Sequence, residues 1–328
     1  MPLVDKPLAE LLKYPGINPR PADFDAYWDD SIRELDAHDP QVELVRNDTV
    51  PLRNAECYDL RFTGIGGARV YAKYLRPSGA RLQADEPAPA IVAFHGYTGN
   101  SGDWSNWLSY VSEGFCVAVL DCRGQGGQSE DNLQIQGNTF RGHIIRGLDD
   151  PNPKNLLFRH IFLDTALLAR VVMSFPEVDA TRVGATGNSQ GGALTLACAA
   201  LEPRIKLCAP VFPFLCDYRR IWQMDLAKDA YEELRTFFRH FDPLHEREEE
   251  IFTRLGYIDC QHLAPRIKAQ TLFTVSLMDT VCPPSSQFAA YNKMTAPKEL
   301  AIYPDFGHEN LPGCADRILR FMLKLQGC

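Results

Sequence analysis

Residues 182–192 read RVGATGNSQGG, and this stretch decides the fold. Its first half is the text of a buried strand, and its last residues open the helical pattern GGALTLACAAL (191–201). Between the two lies Gly187-Asn188-Ser189-Gln190-Gly191, a G-x-S-x-G pattern. A chain that passes so sharply from strand to helix leaves no space for a side chain at 187 or 191, so glycine there is a steric requirement. The turn lifts the Ser189 hydroxyl above the sheet. It also sets that hydroxyl beside backbone N–H groups at a helix N-terminus, which can receive a developing anion. Out of context the pattern is common, and a plain glycine-rich turn is the alternative. A strand before it and a helix after it favour an activated serine.

The text around this turn is a series of short apolar runs. They are AIVAFHG (90–96), FCVAVLDCRG (115–124), LCAPVFPF (207–214), TLFTVSLMD (271–279) and LAIYPDFGH (300–308). Runs of this kind suit parallel strands buried on both faces. Helical patterns fall between them at 104–113, 160–175, 191–202, 284–294 and 314–326, so a mainly parallel sheet covered by helices on both faces is expected. Before it, CYDLRFTG (57–64) and RVYAKYLRP (69–77) alternate with period two, as an antiparallel pair joined by the Gly-rich turn at 64–67. The first fifty residues are rich in Pro and Asp and carry a helical pattern over 23–36 with Phe24, Tyr27 and Trp28, which reads as an N-terminal helical arm. Residues 217–270 hold charged, aromatic helical text without a strand, expected as a helical cap inserted at one sheet edge. Residues 1–328 are thus read as one domain with an arm and a cap.

Composition narrows the function. The 328 residues are 45% hydrophobic, with 34 basic and 42 acidic side chains and a net charge of −8. That balance offers no footprint for nucleic acid or an anionic membrane, and no stretch approaches the roughly 20 apolar residues of a membrane span. Ten cysteines form no C-x-x-C pair, which argues against zinc and iron–sulfur sites. Several stand inside apolar runs, where a free thiol acts as a small hydrophobe. The opening MPLVDKPLAELLKYPG lacks signal-peptide features, so reduced thiols and a cytoplasmic location are expected. Gly124 to Gly127 lack the spacing of a dinucleotide turn. The acidic run at 246–250 reads as a solvated helix face, and His240 and His245 as surface or cap residues. Neither a metal nor a cofactor is expected.

A nucleophilic serine needs a base and an orienting acid, which in α/β-hydrolases follow in the order Ser, Asp, His. Asp279 closes the run TLFTVSLMD and His308 follows LAIYPDFG, both at carboxyl ends of expected parallel strands. Asp305 competes as the acid, but it stands too near His308 in the chain and reads better as a turn residue. For the oxyanion hole, one donor is the backbone of Gln190 and the other is expected in His95-Gly96-Tyr97-Thr98-Gly99, with Tyr97 the choice because glycines flank its turn. His95 reads as a structural ring bonded to nearby backbone. Phe212, Phe214, Tyr218 and Trp222 are candidates either for the acyl pocket or for the core. Cys282, three positions beyond Asp279, is the thiol whose oxidation or alkylation would matter.

With these residues assembled, the chain resembles carbohydrate esterase family 7, the cephalosporin-C deacetylase and acetyl xylan esterase group of α/β-hydrolases. The likeness covers nearly the whole chain: DFDAYW in the arm, F-H-G-Y at 94–97, R-G-Q-G at 123–126, G-N-S-Q-G-G at 187–192, M-D-T-V-C-P-P-S at 278–285 and G-H-E at 307–309. It implies Ser189, Asp279 and His308 as the triad, with the amides of Tyr97 and Gln190 as the hole. It implies removal of short acyl groups from acetylated sugars and from the 3′ position of cephalosporins, and assembly as a hexamer. Asn188 stands where the family usually has Gly, and Thr98 and Asn100 vary the loop beside the hole. Arg123 and Gln125 are expected to be structural, tying the loop after FCVAVLDC to neighbouring backbone. The rivals are a peptidase, a longer-chain esterase or an acyltransferase with the same triad, and a non-catalytic scaffold.

Overall fold

Period-two alternation and the buried apolar runs build nine strands: β1 (Glu43–Arg46), β2 (Ala55–Thr63), β3 (Arg69–Pro77), β4 (Ala88–Phe94), β5 (Cys116–Leu120), β6 (Val178–Asn188), β7 (Leu207–Val211), β8 (Gln270–Ser276) and β9 (Lys298–Tyr303). The structure, a computed structural model, describes residues 4–79, 86–135 and 143–327. One sheet runs in the order β1-β2-β3-β5-β4-β6-β7-β8-β9. β1, β2 and β3 form an antiparallel ribbon that joins β5 antiparallel, and β4 to β9 run parallel. With helices on both sides, this is the α/β-hydrolase fold.

Alternation within the strands decides which layer each side chain enters. Ala90, Val92 and Phe94 face a core shared with the helices Phe24–Asp36, Leu157–Met173 and Gln190–Leu201, whereas Ile91 and Ala93 face Leu108–Ser112 and Cys314–Met322. The helix Gln190–Leu201 is buried along its whole length, which explains why its text carries no polar stripe. The N-terminal residues are tied down by one buried carboxylate. Asp217 accepts from Tyr14 Oη, Ile17 N and Asn18 N at 2.9, 3.0 and 2.7 Å.

Two readings of the sequence need correction here. The first fifty residues also contribute β1, a mostly exposed edge strand too short and polar to register as one. The helical segment 217–270 does not stand at a sheet edge. It leaves β7 and returns in β8, which pair with each other inside the sheet through Leu207↔Gln270. Its helices Tyr218–Gln223, Glu232–Phe241 and Glu248–Leu255 therefore rise from the carboxyl ends of central strands, where a parallel sheet places its ligands.

Arg123 is a third correction. Its guanidinium meets the carboxylate of Asp164, on the helix Leu157–Met173, at 2.5 and 2.8 Å, and it donates to no backbone carbonyl among the described residues. Both side chains are buried. Burial raises the Asp164 carboxyl against the pull of Arg123, and only the two-pronged geometry of the pair makes such a position tolerable.

Candidate active site

β6 ends at Asn188 and the helix begins at Gln190, so Ser189 alone makes the corner. Its φ of 59° and ψ of −118° lie where a residue with a side chain is strained by about 1–3 kcal/mol. Bonds on both sides hold it there: Ser189 N donates to Val211 O at 3.0 Å, and Ser189 O accepts from Ala193 N and Phe214 N. The flanking glycines are there for space. A Cβ on Gly191 would lie 2.1 Å from Phe94 O, and one on Gly187 would lie 2.6 Å from Phe94 O and from the Gly191 backbone.

Three residues distant in the chain meet at this corner. Ser189 Oγ lies 2.9 Å from His308 Nε2, and His308 Nδ1 lies 2.8 Å from Asp279 Oδ2. Asp279 is fully buried, and its other oxygen accepts the backbone N–H of Val281 and of Cys282, each at 2.8 Å. With the acid accepting at Nδ1, that nitrogen carries the ring proton and Nε2 is left to accept from the serine hydroxyl. Phe212 lies against the imidazole with ring centroids 4.7 Å apart, which fixes the ring from the side. Asp305, the competing acid, is exposed on its turn.

Gln190 is the first helical residue, so its N–H has no acceptor within the helix. Gly96, Tyr97 and Thr98 line the same cavity as Ser189 and His308, and a turn closed by Gly99 N to Gly96 O shapes their loop. Gln125 ties the two parts together. Its Oε1 accepts from Thr98 N at 3.0 Å, and its carboxamide pairs with that of Gln190. Gln125 thus reaches backbone, as expected, and a side chain as well. His95 accepts from Cys122 N at Nε2 and faces Gly96 O through Nδ1, and its burial lowers its pKa.

The cavity has a volume of about 850 Å³, well beyond an acetyl group and within the range that holds a sizeable ligand. One wall comes from the excursion between β5 and the helix Leu157–Met173, through His143 and Ile145. The other comes from the 217–270 segment, through Glu233, Thr236 and His240. Sequence reasoning missed His143, Ile145 and Glu233, and it read His240 as a surface or cap residue without placing it at the cavity. Glu233 sits in the text EEL, where nothing separates it from a solvated glutamate. In the structure it is 4% exposed. Its Oε2 accepts from Ile144 N and Ile145 N at 2.7 and 3.2 Å, while Oε1 makes no hydrogen bond among the described residues. Burial lifts its pKa to about 7 against the pull of the amides of Ile145, Ile144 and His143.

None of the four aromatic candidates for the acyl pocket lines this cavity. Phe212 backs His308, Phe214 packs on Tyr97 and Tyr231, Tyr218 on Tyr231, and Trp222 on Phe238 and Phe252. Cys282 also differs from expectation. It lies beside the site but is fully buried, and burial pushes its thiol well up, so it is shielded from alkylation. Asp279, Cys282 and His308 have the spacing of a metal site, yet Asp279 and His308 are already engaged with each other in the hydrogen bond just described.

Comparison with known proteins points one way. The family model described as acetyl xylan esterase (AXE1) matches residues 1–325. Acetyl xylan esterase 1 from Thermoanaerobacterium sp. JW/SL YS485 is 54% identical and superposes with a TM-score of 0.94, covering 98% of this chain and 99% of its own. An acetyl xylan esterase from Paenibacillus sp. R4 is 35% identical with a TM-score of 0.91, covering 97% and 99%. The acetyl esterase Axe7A of Xylanibacter ruminicola is 27% identical over 299 residues, which is 90% of this chain but 64% of that longer protein. The acylaminoacyl peptidase of Pyrococcus horikoshii, 21% identical with a TM-score of 0.58, shares the fold alone.

Proposed function

The chain belongs to the acetyl xylan esterase family, and from that premise we propose that it is a serine esterase removing acetyl groups from acetylated xylan fragments and related sugar esters. The observation that carries this reading is the hydrogen-bonded chain Ser189–His308–Asp279 opening into a cavity large enough for a sugar. Ser189 Oγ attacks the acetyl carbon while His308 Nε2 takes its proton, and Asp279 holds the resulting imidazolium. The amides of Gln190 and Tyr97 receive the oxyanion, each such donor contributing roughly 3 kcal/mol in the transition state. The tetrahedral adduct collapses, the C–O bond to the sugar breaks, and His308 gives its proton to the departing alcohol. Water, deprotonated by the same histidine, then attacks the acetyl-serine, and acetate leaves as Ser189 regains its proton.

To the same reading belong the 3′-acetoxy group of cephalosporin C as a further substrate, assembly as a hexamer, and a cytoplasmic location. The first is supported by the volume of the cavity, the second by the family resemblance, and the third by the cysteines among the described residues, all free and buried. Ser189→Ala should reduce hydrolysis of p-nitrophenyl acetate to background, and substantial turnover in that variant would remove Ser189 from its role. An acyl-chain series should fall steeply beyond short acyl groups, which separates this enzyme from a longer-chain esterase or a peptidase.

A further inference from the structure

Asp279 lies just ahead of the helix Pro284–Lys293, and the first turn of that helix holds its loop. Ser286 Oγ donates to Pro283 O at 2.8 Å, and Gln287 Nε2 donates to Cys282 O at 2.5 Å. The turn is itself pinned by a residue from the far end of the chain. Asp5 Oδ2 accepts from Ser285 N at 2.7 Å, and Asp5 Oδ1 accepts from Arg220 Nη2 at 2.7 Å. Arg220 Nε closes the triangle by donating to Ser285 Oγ at 3.0 Å.

Each corner belongs to a different part of the molecule. Ser285 is in the first turn of the helix behind the acid, Arg220 lies on Tyr218–Gln223 at the foot of the 217–270 segment, and Asp5 comes from the N-terminal arm. The Asp5 side chain is 1% exposed, and Arg220 meets no other carboxylate among the described residues. Bonds to an ionised group at this length are roughly twice as strong as neutral ones. The arm goes on to grip both partners again. Asn292 Nδ2, near the other end of the acid's helix, donates to Leu11 O and Tyr14 O at 2.8 and 2.9 Å. Tyr14, Ile17 and Asn18 hold Asp217, three positions before Arg220. We propose that Asp5 is a positioning residue for the reaction: through Ser285 and Arg220 it fixes the loop of Asp279 against the foot of the helical segment, and so keeps that carboxylate seated on His308 Nδ1. The inference rests on the esterase reading above and adds a residue that touches neither substrate nor reacting atoms. Without the Asp5 carboxylate, Ser285 N loses its acceptor and Arg220 is free to turn toward water. The acid's loop then shifts slightly, and small misplacements of catalytic groups act strongly on turnover.

The test is Asp5→Ala, measured where circular dichroism shows the variant fully folded. Its kcat on p-nitrophenyl acetate should fall about tenfold, with KM within about twofold of the native value. The low-field proton resonance of His308 Nδ1–H, which reports the bond to Asp279 without any substrate, should move upfield. Arg220→Met removes another corner of the triangle and should reproduce both changes. The double variant should lose no more than the worse single one, because the triangle is broken only once. Should Asp5→Ala fail to fold, Arg220→Met carries the same two readings. A kcat within about twofold of the native value in a folded variant overturns the assignment, and so does a reduced kcat with an unmoved His308 resonance. A native enzyme inactive on p-nitrophenyl acetate overturns the esterase reading instead, and the resonance then still decides the role of Asp5.

Discussion

The carboxamides of Gln125 and Gln190 bond to each other in both directions, Gln125 Nε2 to Gln190 Oε1 at 2.7 Å and Gln190 Nε2 to Gln125 Oε1 at 2.9 Å. Gln190 carries one amide of the proposed oxyanion hole, and Gln125 also anchors Thr98 N in the loop that carries the other. One side chain therefore sets the separation of two donors that share no strand or helix. Gln125→Leu should lower kcat on p-nitrophenyl acetate by roughly 10- to 100-fold with KM little changed, because misplacement acts on the transition state. Steady-state kinetics check this, and a kcat within twofold of the native value would mean the hole stands without the pair.

The corner at Ser189 tolerates no added methyl. Gly191→Ala would press a Cβ to 2.1 Å from a main-chain oxygen of β4, which cannot swing aside as a flexible side chain can. Overpacking against backbone should destabilise the protein by about 3 kcal/mol or more and abolish activity, read by thermal melting and turnover together. An unshifted melting temperature would show that the corner can relax.

Arg123 and Asp164 should behave as a unit. Removing one partner strands a buried charge, so Arg123→Met is expected to cost about 3–5 kcal/mol, whereas Arg123→Met with Asp164→Leu should recover much of that loss. Urea unfolding of the three variants closes the cycle. Strict additivity would refute the coupling.

Glu233 links stability to pH. Its pKa rises from 4.5 when unfolded to about 7 in the fold, chiefly through burial, so the folded state holds the proton more tightly. The resulting stabilisation is complete below pH 4.5, declines as the pH climbs toward 7, and is gone above it, a swing of about 3 kcal/mol. Glu233→Gln does not titrate. Its stability relative to the native protein should therefore improve by that amount between pH 4 and pH 8, and parallel profiles would mean that Glu233 ionises normally.

The parallel strands were legible because each is a short apolar run, and the order Ser189, Asp279, His308 could be followed because each residue ends such a run. What lay outside reach was pairing decided in three dimensions. Arg123 finds Asp164 across 41 positions, and Glu233 finds the amides of Ile144 and Ile145 across nearly 90. Neither partner carries a local signature, because a glutamate beside an apolar residue reads the same whether helix packing buries it or water covers it. β1 escaped notice for a related reason: an edge strand with exposed faces has no alternation to display. Placing the 217–270 segment required the strand order, since β7 and β8 are neighbours in space for reasons that their intervening text does not contain.

That neighbourhood has an evolutionary consequence. The segment departs from β7 and returns on β8, strands already in register with each other, so its two ends are held at a fixed separation whatever lies between them. Doubling the length of such a detour costs only about 0.6 kcal/mol in closure entropy. Insertions, deletions and wholesale exchange of these helices can accumulate there while Ser189, Asp279 and His308 stay seated on the sheet. The lineage can thus try new specificities without rebuilding its chemistry.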